Sequence, residues 1–337
     1  MLCAGLGTRL RPVTDAIPKP AISFLGRPLV TYALATLKKA GVESVGFNTH
    51  HLPEVMARCF ERECSAAGFP QPFRSHEEVI QGTGGGIRGL APALQGAVSV
   101  VLNGDVLFGV ELAPIVAAHR VSGAIASMVL LPMPEGEKFN PVEVNAAGEV
   151  RRIAGVGPGG DRLVPWHFSG VHLLSPELFD FMKPGVEDIN RDVYPRAIAA
   201  GKVVRAHVLK DHGAFWSDVG SPARYLDALA EALSGRVNFA PFGAASPLEG
   251  MQKHGLSWVH PGAAMGDAKF AGPAWFGPGC TLGRGARFGA MVSIGANARV
   301  GAAAHLNRVA VLDGATVPDS ALLEDCIVAP GGIVARR

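Results

Sequence analysis

The chain has 337 residues, enough for two domains with full cores. Its 31 basic and 29 acidic residues leave a net charge of +2, which excludes the large field that would draw in nucleic acid or an anionic membrane. No stretch of the given residues reads as a signal peptide or as an apolar run of transmembrane length. The five cysteines, Cys3, Cys59, Cys64, Cys280 and Cys326, show no paired or metal-ligand spacing, and are expected to be buried, reduced thiols of a cytoplasmic protein.

The chain opens on an apolar stub, Met1 to Ala4, that runs into Gly5-Leu6-Gly7-Thr8-Arg9. Four residues are few for a central strand, so the natural start is expected upstream of Met1. Helical spacing of apolar residues predicts a helix over 29–40 closed by Gly41, a strand over 42–48 and a helix over 54–67. The run Ser75 to Leu90 (SHEEVIQGTGGGIRGL) reads as a glycine-rich loop capping a helix over 87–93. A continuous apolar strand over 98–102 leads into Asn103-Gly104-Asp105, a helix over 112–120 follows, and 124–131 is a buried strand. This alternation predicts a Rossmann-like, mainly parallel sheet covered on both faces. Segments 142–145 and 149–153 form a hairpin pattern, 168–174 and 203–209 are strands, and 176–182 is a short helix. Residues 222–233 make a helix with Ser221 as N-cap, Pro222 at the first position and Gly235 just past its end.

Beyond a poorly patterned linker the chain changes character. Phe276, Leu282, Phe288, Ile294, Val300, Leu306 and Leu312 recur every six residues, and Gly277, Gly283, Gly289, Gly295 and Gly301 follow five of them. This is the hexapeptide repeat of a parallel β-helix of about five coils. Each aliphatic residue is expected to point inward, and each following glycine to permit the corner. The repeat also supplies much of the glycine excess, since 43 Gly and 25 Pro make up about a fifth of the chain. The expected domains are 1–235, a linker over 236–257, and the β-helix over 258–337.

Two glycines beside Arg9, Arg11 and Lys19 read as a triphosphate cradle at the carboxyl end of a strand. The block is not a dinucleotide fingerprint, because residue 10 is Leu10, and no Walker A loop occurs. Asp105, at the end of an apolar strand, is well placed for Mg²⁺. The adjacent pair His50-His51 reads as a polar turn, since neighbouring residues do not face one site. No nucleophile elbow or metalloprotease motif appears.

The block G-x-G-T-R-L-x-P followed by P-K-P resembles the signature of the sugar-1-phosphate nucleotidylyltransferases. With N-T-H-H-L-P-E and the short hexapeptide tail, the chain looks most like the bacterial mannose-1-phosphate guanylyltransferase-like proteins. The resemblance implies a nucleotidyltransferase domain followed by a left-handed β-helix, and Mg²⁺ as cofactor. It implies a triphosphate site of Ala4, Gly5, Gly7, Thr8, Arg9 and Lys19, and a base pocket bordered by Glu77, Gly82, Thr83 and Gly104. Gln81 departs from the usual Leu of that segment. The F-[ST]-G motif, here Phe168-Ser169-Gly170, implies Ser169 and Gly170 beside the sugar, with Asn103. The W-x-D-x-G-[ST]-P motif makes Asp218 a second metal ligand with Asp105, and gives Arg9, Lys19, Asp105 and Asp218 the catalytic roles. The E-K-P segment that holds the sugar phosphate in many relatives is missing, and Arg152 or Lys210 is the candidate replacement.

The implied reaction joins a nucleoside triphosphate and a sugar 1-phosphate, with GTP and mannose 1-phosphate as the first pair. Uridylyl transfer to a glucose-type or N-acetylated sugar is an alternative. So is a non-catalytic regulatory subunit, although the retained Arg9, Lys19, Asp105 and Asp218 argue against it. Acyl transfer by the β-helix is a third class, but His260 and His305, its histidines, sit in no recognisable motif. Packing of the β-helix against the catalytic domain or another subunit remains, the latter giving a homo-oligomer.

Overall fold

The computed structural model describes residues 1–94, 96–134, 136, 139–210 and 215–335. Its contacts divide the chain into two compact units that do not follow sequence order. The first comprises Met1–Gly5, Thr36–Gly104 and Val110–Ala214; the second comprises Leu6–Ala35, Asp105–Gly109 and Phe215–Arg337.

The first unit is α/β. Its long strand Val164–Leu174 lies antiparallel to Ser99–Leu102 and to Ala126–Leu131, and Val204–Val208 runs parallel to the latter. The pairing is therefore mixed, where the strand–helix alternation predicts mostly parallel neighbours. Gly46–Thr49 and Phe73–His76, joined through the helix Pro53–Ala66, are parallel. Val164–Leu174 is reached instead through the hairpin Val142–Val144 and Val150–Ile153, and strands joined without a crossover helix run antiparallel. Ala126–Leu131 is buried at every residue, as a strand covered on both faces must be. The core gathers Ile87, Val101, Met128, Leu174, Tyr194 and Val204.

Helices Leu29–Lys39 and Pro53–Ala66 lie where the periodicity places them. The strand expected from residue 42 begins only at Gly46, because Val42 N–H bonds back to Leu37 and closes the preceding helix. The glycine-rich segment is no loop: Gly82–Gly89 is itself helical. Interior glycines cost a helix roughly 1 kcal/mol each relative to alanine, and close packing explains why they are used. An added Cβ would meet Glu187 O at 2.6 Å from Gly82, Asn48 Nδ2 at 2.5 Å from Gly86 and Ser75 Oγ at 2.6 Å from Gly89.

In the second unit, Pro222–Leu233 is capped as expected, with Ser221 Oγ accepting from Arg224 N–H. Its buried face, Tyr225, Leu226, Leu229 and Leu233, shares one core with Leu10, Phe24, Tyr32, Phe242 and Trp275. Burial of each such side chain contributes about 1.5–3 kcal/mol.

The rest of this unit is a parallel β-solenoid of about four turns, one fewer than expected. Thr281 pairs with Arg299, and Arg299 with Thr316, so the coil shortens from 18 to 17 residues. Phe276, Leu282, Phe288, Ile294, Val300 and Leu306 fill the interior. The six-residue rule then fails at Leu312. Val311 pairs with Ile294 and takes the interior position, while Leu312 packs into the core around Pro222–Leu233.

The glycine rule is also corrected. Gly283 and Gly301 do not sit in the left-handed region; they are glycine because a Cβ would lie 2.4 Å from Ala302 N and Asp319 N of the next coil. The left-handed corners fall two residues later, at Gly279, Gly285, Met291, Asn297 and Ala303.

Candidate active site

Gly7, Thr8, Arg9, Lys19, Asp105 and Asp218 lie within the second unit, whereas Ala4, Gly5, Asn103 and Gly104 belong to the first. Gly7 adopts φ 63°, and a Cβ there would lie 2.8 Å from Thr14 Cγ2. Thr14 Oγ1 donates to Gly7 O at 2.9 Å and fixes the turn. Gly5 has open space around its Cα, so its backbone is accessible to a ligand. The short 3₁₀ turn Thr8–Leu10 buries Leu10 and leaves Thr8 and Arg9 exposed.

A two-stranded ladder brings the distant carboxylates together. Leu107–Gly109 pairs antiparallel with Phe215–Ser217, with Leu107 opposite Ser217. Asp105 and Asp218 therefore lie at the same end of the ladder. Lys19, 7 % exposed, joins them: its Nζ donates to Asp105 Oδ2 at 2.6 Å and to Asp218 O at 2.9 Å. Arg9 lies over Gly220, where a Cβ would meet Arg9 Nη2 at 2.7 Å and Asp218 Oδ2 at 3.3 Å. Sequence reasoning missed one member, Arg224, whose Nη1 is 2.6 Å from Asp218 Oδ1. The cluster thus holds three cations and two carboxylates.

The donor chemistry fits a divalent metal. Asp105 and Asp218 offer hard oxygen ligands, which suit Mg²⁺. Both side chains are partly exposed, at 33 % and 24 %, so each can be reached. Among the described residues no group of three or more His, Cys, Asp or Glu gathers as a metal site. The His50-His51 pair holds nothing of the kind, as His50 Nδ1 lies 2.8 Å from Glu77 O.

The remaining motif residues lie in the first unit and are tied into its scaffold. Glu77, 6 % exposed, accepts from Asn48 Nδ2 at 2.7 Å and from Gln81 N–H at 2.8 Å, so each carboxylate oxygen already has a donor. Thr83 Oγ1 donates to Asp188 at 3.2 Å and accepts from Ile189 N–H at 3.0 Å. The first-turn N–H groups of Gly84 and Gly85 both bond to Glu187 O.

Ser169 is fully buried and donates to Val129 O at 2.7 Å. It sits in the bulge between Phe168 and His172, where Gly170, at φ 84°, packs against Asn103. Asn103 N–H bonds to Gly170 O, and Gly104 N–H to Leu2 O. Asn48, which also accepts from Cys3 N–H at 2.6 Å, organises this region; it opens the N-T-H-H-L-P-E segment, which by itself assigns it no role. Of the two candidate phosphate cations, Arg152 is paired with Glu143 at 3.3 Å and Lys210 is exposed.

Comparison with known proteins identifies the family. The family model described as nucleotidyl transferase matches residues 1–235. A mannose-1-phosphate guanylyltransferase of Mycobacterium tuberculosis is 30% identical over 286 residues, covering 84% of this chain and 77% of that protein. A UTP–glucose-1-phosphate uridylyltransferase of Synechocystis is 25% identical, covering 84% and 79%. The crystal structure of a candidate glucose-1-phosphate thymidylyltransferase from Bacillus anthracis shares the fold, with a TM-score of 0.58 at 20% identity over 72% of this chain and 96% of that one. The chain belongs to the nucleotidyl transferase family, among the sugar-1-phosphate nucleotidylyltransferases.

Proposed function

We propose that this protein joins GTP and mannose 1-phosphate to give GDP-mannose and pyrophosphate. The observation that supports the chemistry is the gathering of Arg9, Lys19, Asp105 and Asp218 around one end of a two-stranded ladder. The sugar and base rest on similarity to the guanylyltransferases; similarity to a uridylyltransferase makes UTP with glucose 1-phosphate the second reading. In domain terms, residues 1–235 are the catalytic part, 236–257 the linker and 258–337 the β-helix. The residues assigned by resemblance to the base and sugar, Glu77, Gly82, Thr83, Asn103, Gly104, Ser169 and Gly170, remain part of the proposal. Glu77 and Ser169 act in it by shaping the backbone that presents their neighbours.

In the reaction an anionic oxygen of the sugar phosphate attacks the α-phosphorus. One P–O bond forms, the α–β P–O bond breaks, and pyrophosphate departs with the electron pair. The nucleophile carries no proton to remove, so no general base is needed. The protein's contribution is positioning and charge neutralisation. Backbone N–H groups of the Gly5–Thr8 loop hold phosphate oxygens, and Arg9 and Lys19 counter the charge that builds on the leaving group. Asp105 and Asp218 would hold Mg²⁺, which supplies further neutralisation of phosphate charge when bound.

Pyrophosphate release across a grid of nucleoside triphosphates and sugar 1-phosphates tests the reading. Turnover is expected with GTP and mannose 1-phosphate. Asp105→Asn and Asp218→Asn are each expected to lower kcat roughly 100-fold or more, with smaller effects on nucleotide binding. Silence of the folded protein across the grid would shift the assignment to a regulatory subunit, and full turnover in both variants would remove the metal role.

A further inference from the structure

Arg224 occupies a position that its own helix does not favour. It is the third residue of Pro222–Leu233, after the Ser221 cap. The first turn of a helix carries the positive end of its dipole, so a cation there is repelled by about the amount an anion would gain. That first turn holds no acidic residue of its own. Asp218 offers the guanidinium a compensating charge, with Oδ1 at 2.6 Å from Nη1. The contact is an ion pair without hydrogen-bond alignment at the buried Oδ1. Lys19 reaches the main-chain oxygen of Asp218 rather than its carboxylate, so Arg224 is the close ion-pair partner of that carboxylate. The side chain itself is 26% exposed.

We propose that Arg224 is an exchange cation. It neutralises Asp218 while the carboxylate has no metal, releases it when a divalent cation takes the carboxylate, and then pairs with a phosphate oxygen of the substrates. This inference rests on the metal role proposed above for Asp218. Arg224 Nη1 lies 2.6 Å from Asp218 Oδ1 and Lys19 Nζ 2.6 Å from Asp105 Oδ2, so an arriving metal competes with a cation at each carboxylate. The released guanidinium lies among the groups proposed to hold phosphates, and its planar fork suits phosphate oxygens.

The prediction is a pair of effects with opposite signs, which loss of structure does not produce. Mn²⁺ alone serves as the metal probe, with free Mn²⁺ read by electron paramagnetic resonance. Arg224→Met is expected to bind Mn²⁺ roughly three- to tenfold more tightly than the unaltered protein. In the presence of saturating Mn²⁺, the same variant is expected to bind pyrophosphate or mannose 1-phosphate roughly tenfold more weakly by calorimetry, and which of the two responds identifies the phosphate involved. Arg224→Lys should restore part of both effects, and Arg224→Gln replaces the methionine variant if circular dichroism shows lost helix. Unchanged or weaker Mn²⁺ binding in Arg224→Met overturns the exchange, as does unaltered affinity for both phosphates. Asp218→Asn separates the two readings. If the unaltered protein binds no Mn²⁺, or binds it equally well as Asp218→Asn, both the exchange and the metal role fall. If binding depends on Asp218 but not on Arg224, only the exchange falls.

Discussion

Gly5 and Gly7 look alike in the sequence, yet the structure gives them different tasks. Gly7 needs a left-handed backbone and leaves no room for a methyl group against Thr14, whereas Gly5 is unhindered in the free protein. Gly7→Ala is therefore expected to cost about 1–3 kcal/mol of stability. Gly5→Ala should leave the melting temperature unchanged and raise KM for the nucleotide. Thermal unfolding beside steady-state kinetics checks this, and equal destabilisation by both substitutions would contradict it. Arg9, Lys19, Asp105 and Asp218 were legible as chemistry because each sits in a spaced motif. Arg224 was not, and Asn48 was visible only as the first residue of N-T-H-H-L-P-E with no role attached, because local sequence does not say which way a side chain points. The functional labels on Glu77 and Ser169 were equally legible, but their hydrogen bonds within the first unit could be read only from the fold.

Glycine also decides matters among the elements. In the solenoid the six-residue spacing identified the coils, but two separate constraints produce the glycines. Gly283 is fixed by the next coil, where a Cβ would come within 2.4 Å of Ala302 N. Gly285 needs only φ 72° and has open space. Gly283→Ala should destabilise the solenoid by roughly 2–4 kcal/mol, since main chain cannot move aside cheaply. Gly285→Asn should cost no more than about 1 kcal/mol, because asparagine tolerates the left-handed region. Urea unfolding of the two variants measures the difference, and similar losses would refute the division. The helix Gly82–Gly89 shows the same principle, with glycines that propensity assigns to a loop but that close packing on Glu187, Asn48 and Ser75 places in a helix.

For the molecule as a whole, buried histidine contributes to the loss of stability in acid. His172 is 2 % exposed, bonded to Tyr194 Oη, and burial pushes its pKa down to about 3. Burial lowers His119 and His207 as well. In the unfolded chain a histidine titrates near 6.5. Between about pH 6.5 and 3 the unfolded chain binds the extra proton, so stability falls as pH falls through that window. The slope from His172 approaches about 1.4 kcal/mol per pH unit, which amounts to about 2 kcal/mol between pH 7 and 5. Urea unfolding at the two pH values should show that loss, and His172→Gln should reduce it. A pH-independent free energy over this range would exclude the mechanism. At this scale the sequence foresaw an α/β part and a parallel solenoid, but not the interleaved units, in which Leu6–Ala35 and Asp105–Gly109 associate with the solenoid rather than with their neighbours in the chain.

Sequence alone determined what spacing and residue type can encode: the glycine-rich Gly5–Arg9 block, the two acidic motifs, the buried strands, the capped helix and the six-residue repeat. These are local or periodic properties, set by backbone geometry within a few residues of each position. Tertiary structure alone decided the antiparallel placement of Val164–Leu174, the exit of Leu312 from the solenoid core, and the use of Glu77 and Ser169 as internal hydrogen-bond partners. It also decided the meeting of Asp218 with Arg224 and, through Lys19, with Asp105. Each of these depends on contacts between distant segments, whose register and side-chain direction follow from packing and burial across the whole unit.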